Sequence, residues 1–137
     1  MRIMEQKPLR CAVNPAVGRE DEPLGTTPRP KKIVVIGAGP AGITFAVTAT
    51  RRGHKVCLFG RRDCIGGKVI AGSRPSFKRP LRLLLEFWER EIADVPMDVR
   101  LGTTATLDSI DALSPDLVVL ATGDALVLWP SETRWTR

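Results

Sequence analysis

The chain contains no tyrosine, one histidine and three cysteines in 137 residues. Each shortage removes a class of chemistry. The single histidine, His54, lies in "RGHKV", a turn between a helix and a strand, so a Ser-His-Asp triad is excluded. Cys11, Cys57 and Cys64 form no CxxC pair and no even set, which argues against a disulfide framework and for a reducing cytoplasm. Aromatics are scarce as well, with four Phe and three Trp. The net charge of +6 therefore has no aromatic ladder beside it, and the cations are scattered from Arg29 to Arg79, so no nucleic-acid partner is expected. The N-terminal "MRIMEQKPLR" lacks the apolar core of a secretory signal. Residues 33–50 carry no charge, but Gly37, Gly39, Pro40 and Gly42 break the run. It reads as strand, turn and helix rather than a membrane span.

What is present is an apolar content of 43% with mixed charges, as in a soluble globular chain of one domain. Residues 1–31 hold proline, glycine and charge and read as an extended linker. "KKIVVIG" is a short apolar run suited to a strand buried on both faces. "PAGITFAVTATRRG" is a helix with Pro40 in its first turn, and "HKVCLFG" is a second strand. A glycine-rich, basic loop leads to "RPLRLLLEFWEREIAD", in which Leu81, Leu84, Leu85, Trp88 and Ile92 share one helical face. Glu86 and Arg90 are spaced as an i,i+4 pair. "MDVRLGTT" is a third strand. "LDSIDAL" is a short helix with Asp108 as its expected cap. "DLVVLATG" is a fourth strand. Strands alternating with helices predict an α/β fold. The expected form is a Rossmann-like parallel sheet of about four strands in the order 3-2-1-4, over residues 32–123. Residues 124–137 form an irregular tail.

"GAGPAG" fits G-x-G-x-x-G, directly after a strand and opening a helix. Gly37 makes the turn, Gly39 admits a pyrophosphate to the backbone, and Gly42 lets helix and strand pack closely. Ala38, Pro40 and Ala41 complete the loop, and the helix N–H groups face the phosphates. Gly66 and Gly67 form a second pair. Ala121, Thr122 and Gly123 end the fourth strand, where an open α/β sheet places its ligand. An acid is expected at the end of the second strand to hold a ribose. Gly60 stands there, followed by Arg61 and Arg62, and Asp63 is three residues on.

Taken together, "CAVNPAVGRE", "IVVIGAGPAGITFAVTATRRGHKVCLF", "IGGKV" and "DLVVLATG" resemble the 2,4-dienoyl-CoA reductase and trimethylamine dehydrogenase group. These are NADH:flavin oxidoreductases related to old yellow enzyme. The resemblance covers about residues 11–123 and implies the first part of a two-dinucleotide-binding flavoprotein region. It implies FAD, or its ADP moiety, on the glycine motifs. It also matches Cys11 to the last of four [4Fe–4S] ligands. Four thiolates are needed, so neither that cluster nor the family's FMN is expected on this chain. The family pattern extends beyond both ends, which implies a piece of a longer enzyme, truncated or frameshifted. It also implies a nucleotide cofactor as partner, and association with a missing N-terminal part or with itself. No catalytic residue is assigned. The alternatives are an NADP module using Arg61 and Arg62 for a 2′-phosphate, and a non-catalytic interaction protein pairing through its sheet edge and Trp88 helix.

Overall fold

Residues 33–36 are apolar at every position, and they become the central strand because both faces of the sheet need covering there. The computed structural model describes Cys11, Val13, Asn14, Val17, Gly18 and residues 22–123. Its elements in chain order are β1 (Lys32–Ile36), α1 (Pro40–Arg51), β2 (Lys55–Phe59), α2 (Lys68–Gly72), one 3-10 turn (Ser76–Lys78), α3 (Arg79–Ala93), β3 (Asp98–Arg100), α4 (Leu107–Asp111) and β4 (Leu117–Leu120). The strands form one sheet in the order β3-β2-β1-β4, parallel throughout. This is the expected 3-2-1-4 order. The tail expected at residues 124–137 lies outside the described residues.

Strand alternation sends Ile33, Val35, Val56 and Leu58 to one face, where they pack with Ile43, Ala46 and Val47 of α1 and Trp88 of α3. Val34, Cys57 and Phe59 face the other way, against Ile110 and Leu113 around α4. Right-handed crossovers require this: α1 and α3 precede strands added on one side of β1, and α4 precedes the strand added on the other. The sheet therefore switches direction between β1 and β4. Trp88 is 5% exposed, so it belongs to the core and offers no docking surface. Arg51 joins α1 to Glu91 of α3 through two hydrogen bonds of 2.8 and 2.9 Å.

Three local expectations need correction. The cap of α4 is Thr106, not Asp108. The Thr106 hydroxyl accepts from the Ser109 amide at 3.2 Å, and the Ser109 hydroxyl accepts from the Thr106 amide at 2.9 Å; Asp108 sits in the first turn, beside the positive end of the helix dipole. Arg90 turns its Nε to the Glu86 carbonyl at 3.2 Å rather than pairing with the carboxylate. The loop after β2 contains α2 and the 3-10 turn. Separately, residues 27–31 are pinned to the domain: the Thr27 amide donates to the Arg52 carbonyl at 2.9 Å, and the Lys31 amide donates to His54 Nδ1 at 3.1 Å. Among the described residues no helix is long and apolar enough to cross a membrane.

Cys57 gives the sheet a measurable signature. Burial, followed by its hydrogen bond to Asp98, pushes its thiol from 9.0 up to about 11. The folded chain keeps a proton that the unfolded chain releases first, so stability falls as pH rises from about 9 to about 11. Without tyrosine, cysteine and lysine are the side chains left to titrate there. Urea midpoints measured across that range are expected to decline in the wild type and to flatten in Cys57→Ala. An equal decline in both proteins would contradict this account.

Candidate functional site

The carboxyl ends of β1, β2 and β4 meet where the sheet switches direction. Main-chain hydrogen bonds tie them together. The Gly37 amide donates to the Phe59 carbonyl at 2.8 Å, and the Ala121 amide donates to the Ile36 carbonyl at 2.8 Å. The Gly60 amide donates to the Arg100 carbonyl at 2.9 Å. The loop of residues 37–42 lies across this junction and leads into α1.

The three glycines of the loop are there for different reasons. Gly37 has φ +120, and a Cβ on it would overlap the Ala121 carbonyl. A Cβ on Gly42 would overlap the Gly37 carbonyl and stand 3.3 Å from the Ala121 Cβ. Both positions are closed by the protein itself. Gly39 is the N-cap of α1, with φ −90 and ψ −177, a conformation any residue adopts. A Cβ there would meet nothing within 4 Å, so packing does not explain this glycine. The space is bordered by the start of α1, whose first internal bond runs from the Ile43 amide to the Gly39 carbonyl. The Ala41 and Gly42 amides precede that bond and have no partner within the helix. The first turn of α1 carries no acidic residue, so its partial positive charge is uncompensated. A cradle open at Gly39 and lined by amides suits an anionic oxygen group.

Gly66 and Gly67 close the far side of the cradle. The Gly66 amide donates to the Ala38 carbonyl at 2.8 Å. A Cβ on Gly67 would stand 3.2 Å from the Gly39 Cα, and one on Gly66 would overlap Leu85. Both have positive φ, +102 and +56. The doubled glycine was visible in the sequence; its docking against the first loop was not. Ala121 packs on Gly37 and Gly42, while Thr122 and Gly123 are exposed at the rim.

Gly60 is buried, and a Cβ on it would stand 2.7 Å from Leu101 Cδ2 and 3.0 Å from the Ala38 Cβ. Leu101 thus leans over the place where an acid was expected. No signal in the sequence pointed to that contact. Arg61, Arg62 and Asp63 are exposed. Arg62 Nη1 is 3.5 Å from the Gly67 carbonyl, while its own carbonyl accepts from the Gly102 amide at 2.7 Å. Cys11 is exposed and its Sγ accepts from the Val13 amide at 3.4 Å. Hydrogen bonds from the Asn14 and Val13 amides lower its pKa. Cys57 is buried in the sheet and Cys64 lies exposed in the loop after β2. Among the described residues no group of His, Cys, Asp or Glu is arranged to hold a metal ion. The three cysteines of this chain do not fit a four-thiolate cluster.

Known proteins share this sequence pattern and fold. The chain is similar to an NADH oxidase from Thermoanaerobacter brockii, 40% identical over 124 residues, which are 89% of this chain and 19% of that protein. It is similar to a cinnamate reductase from Clostridium sporogenes at 36% identity, over 90% of this chain and 19% of the relative. A solved 2-naphthoyl-CoA reductase superposes with a TM-score of 0.74 at 34% identity, over 89% of this chain and 19% of that one. Histamine dehydrogenase from Rhizobium sp. 4-9, 21% identical with a TM-score of 0.73, shares the fold. The chain thus spans about a fifth of the length of the relatives it matches. The family model described as FAD dependent oxidoreductase matches residues 32–101, half of the sequence, and the chain belongs to that family.

Proposed function

We propose that this chain binds FAD through its ADP half, as the nucleotide-binding part of an NAD(P)H-dependent flavin oxidoreductase resembling 2,4-dienoyl-CoA reductase. The observation that carries the reading is the contrast within the glycine loop. Gly37 and Gly42 are filled by the protein's own backbone, and Gly39 faces open space beside unpaired amides. A pyrophosphate fits that space, with the Ala41 and Gly42 amides as donors. Gly66 and Gly67 would bound it from below, and Thr122 and Gly123 would flank the adenosine. Bound FAD supplies two-electron redox chemistry. The residues of this chain bind and orient the cofactor, and no proton or hydride step is assigned to any of them. The relatives named an NADH oxidase and a cinnamate reductase support a redox role for the whole assembly.

Gly60 weakens the grip on the ribose. An acid there would accept hydrogen bonds from the hydroxyls, and such charge-assisted bonds are worth about 1.5–3 kcal/mol. The exposed Arg61 supports a second reading, an NADP module, since a cation beside a missing acid suits a 2′-phosphate. Arg62 supports it less, because it reaches toward the Gly67 carbonyl.

Calorimetry and urea unfolding on single variants separate ligand space from packing. Gly39→Ala is expected to keep stability within about 1 kcal/mol of wild type and to weaken FAD by at least about tenfold. Gly37→Ala and Gly42→Ala are expected to lose roughly 2–4 kcal/mol of stability through backbone overlap. Unchanged FAD affinity in a stable Gly39→Ala protein would defeat the proposal. Gly60→Glu, whose Cβ must displace the flexible end of Leu101 and move the Ala38 Cβ by a few tenths of an ångström, is expected to tighten FAD by about tenfold. NADPH binding stronger than FAD binding, and lost in Arg61→Ala, would select the second reading instead.

A further inference from the structure

Lysines and arginines are spread along the chain, but their surplus over acids is local. Residues 61–82 hold seven of the 21 Lys and Arg and one of the 15 Asp and Glu, which leaves fourteen of each sign in all the rest. The whole net charge of +6 therefore lies between the end of β2 and the first turn of α3. Arg61, Arg74, Lys78 and Arg79 are exposed, and none has an ion-pair partner among the described residues.

The helix does not call for this charge. A helix favours acids in its first turn and cations in its last. α3 is ordered the other way. Lys78 is its N-cap, Arg79 and Arg82 fall in its first four residues, and its first turn holds no acid. Glu86, Glu89, Glu91 and Asp94 lie toward its carboxyl end. The turn before α3 is held in shape. The Ser73 hydroxyl donates to the Ile70 carbonyl at 2.9 Å, and the Lys78 amide donates to the Pro75 carbonyl at 3.0 Å. Arg82 donates to the Ser73 and Ser76 carbonyls, each at 3.3 Å. The turn so fixed leaves Phe77 80% exposed, while no other described aromatic exceeds 39%.

We propose that residues 61–82 lay the domain on an anionic lipid surface, with Phe77 among the headgroups and the cations around it on their phosphates. Clusters of about four to eight Lys and Arg are drawn to anionic leaflets. An exposed ring adds apolar area that the acyl boundary can bury. The order of charge along α3 then sets the orientation. Its basic start faces the lipid, and its acids, about 15 Å further along the helix, face away. A specific protein partner is recognised by complementary charges that fix register. This segment offers one sign of charge and a single protruding ring, which suits a surface without fixed shape.

Flotation of the full chain with lipid vesicles tests this. Phosphatidylcholine vesicles with about one third phosphatidylglycerol are expected to bind at least about 20-fold more tightly than phosphatidylcholine alone. That binding is expected to disappear as salt rises from about 0.1 M to about 0.5 M. Lys78→Glu/Arg79→Glu is expected to weaken it by at least about 20-fold and yet raise Tm, because it places acids at the start of α3. Lys31→Glu/Lys55→Glu changes the net charge equally at the amino ends of β1 and β2, and is expected to weaken binding by less than about threefold. Phe77→Ala is expected to weaken it by at least about threefold with the fold intact. Equal losses in the two double variants would reduce the effect to net charge and overturn the proposal. So would binding that shows no preference for phosphatidylglycerol, or that Phe77→Ala leaves unchanged. A chain that ignores the vesicles but binds polyglutamate through Lys78 and Arg79 would also overturn it, and would assign the segment to an acidic protein.

Discussion

The structure depends on one close approach, between the turn that follows β1 and the end of β4. Gly37 lies against the Ala121 carbonyl, and Gly42 lies against Gly37. Any side chain at either glycine would push these segments apart. Because they meet, the amino end of α1 opens at the point where the sheet changes direction. The hydrogen bonds from Gly37 to Phe59 and from Ala121 to Ile36 hold β2, β1 and β4 in register at that level. Without that approach there is neither a helix start aimed at the strand ends nor a crevice in front of them.

From this constraint follows an asymmetry in what the site offers. On the proposed reading the pyrophosphate end is preorganised: open space at Gly39, unpaired amides on α1, and the second glycine pair packed beneath. The ribose end is closed over, with Leu101 across a buried Gly60. A fixed amide cradle costs little reorganisation when an anion enters. On the proposed reading, Gly60 in place of the ribose acid lowers affinity without removing the cradle, and the nucleotide is held mainly by its phosphates, with the exposed arginines after Gly60 beside it.

Most of the architecture was legible in the sequence because period and punctuation agree there. The apolar runs of β1, β2 and β4, the helical spacing of Leu84, Leu85, Trp88 and Ile92, and the glycine loop each point to the same fold. What escaped depends on contacts between distant segments. The docking of Gly67 on Gly39 and the lean of Leu101 over Gly60 are tertiary facts with no local pattern. The sequence leaves the cap of α4 open because Thr and Asp are both good caps and stand two positions apart; the reciprocal bonds of Thr106 and Ser109 decide it. α2 is not legible in the sequence because five residues between glycines carry too little periodicity to register.

Calorimetric titration of the wild-type chain with ADP and with adenosine tests whether main-chain groups around Gly39 recognise a pyrophosphate. Recognition through the phosphates predicts that ADP binds within about threefold of FAD while adenosine binds at least about 100-fold more weakly, a gap of roughly 2.7 kcal/mol. Adenosine binding as tightly as ADP would contradict the account.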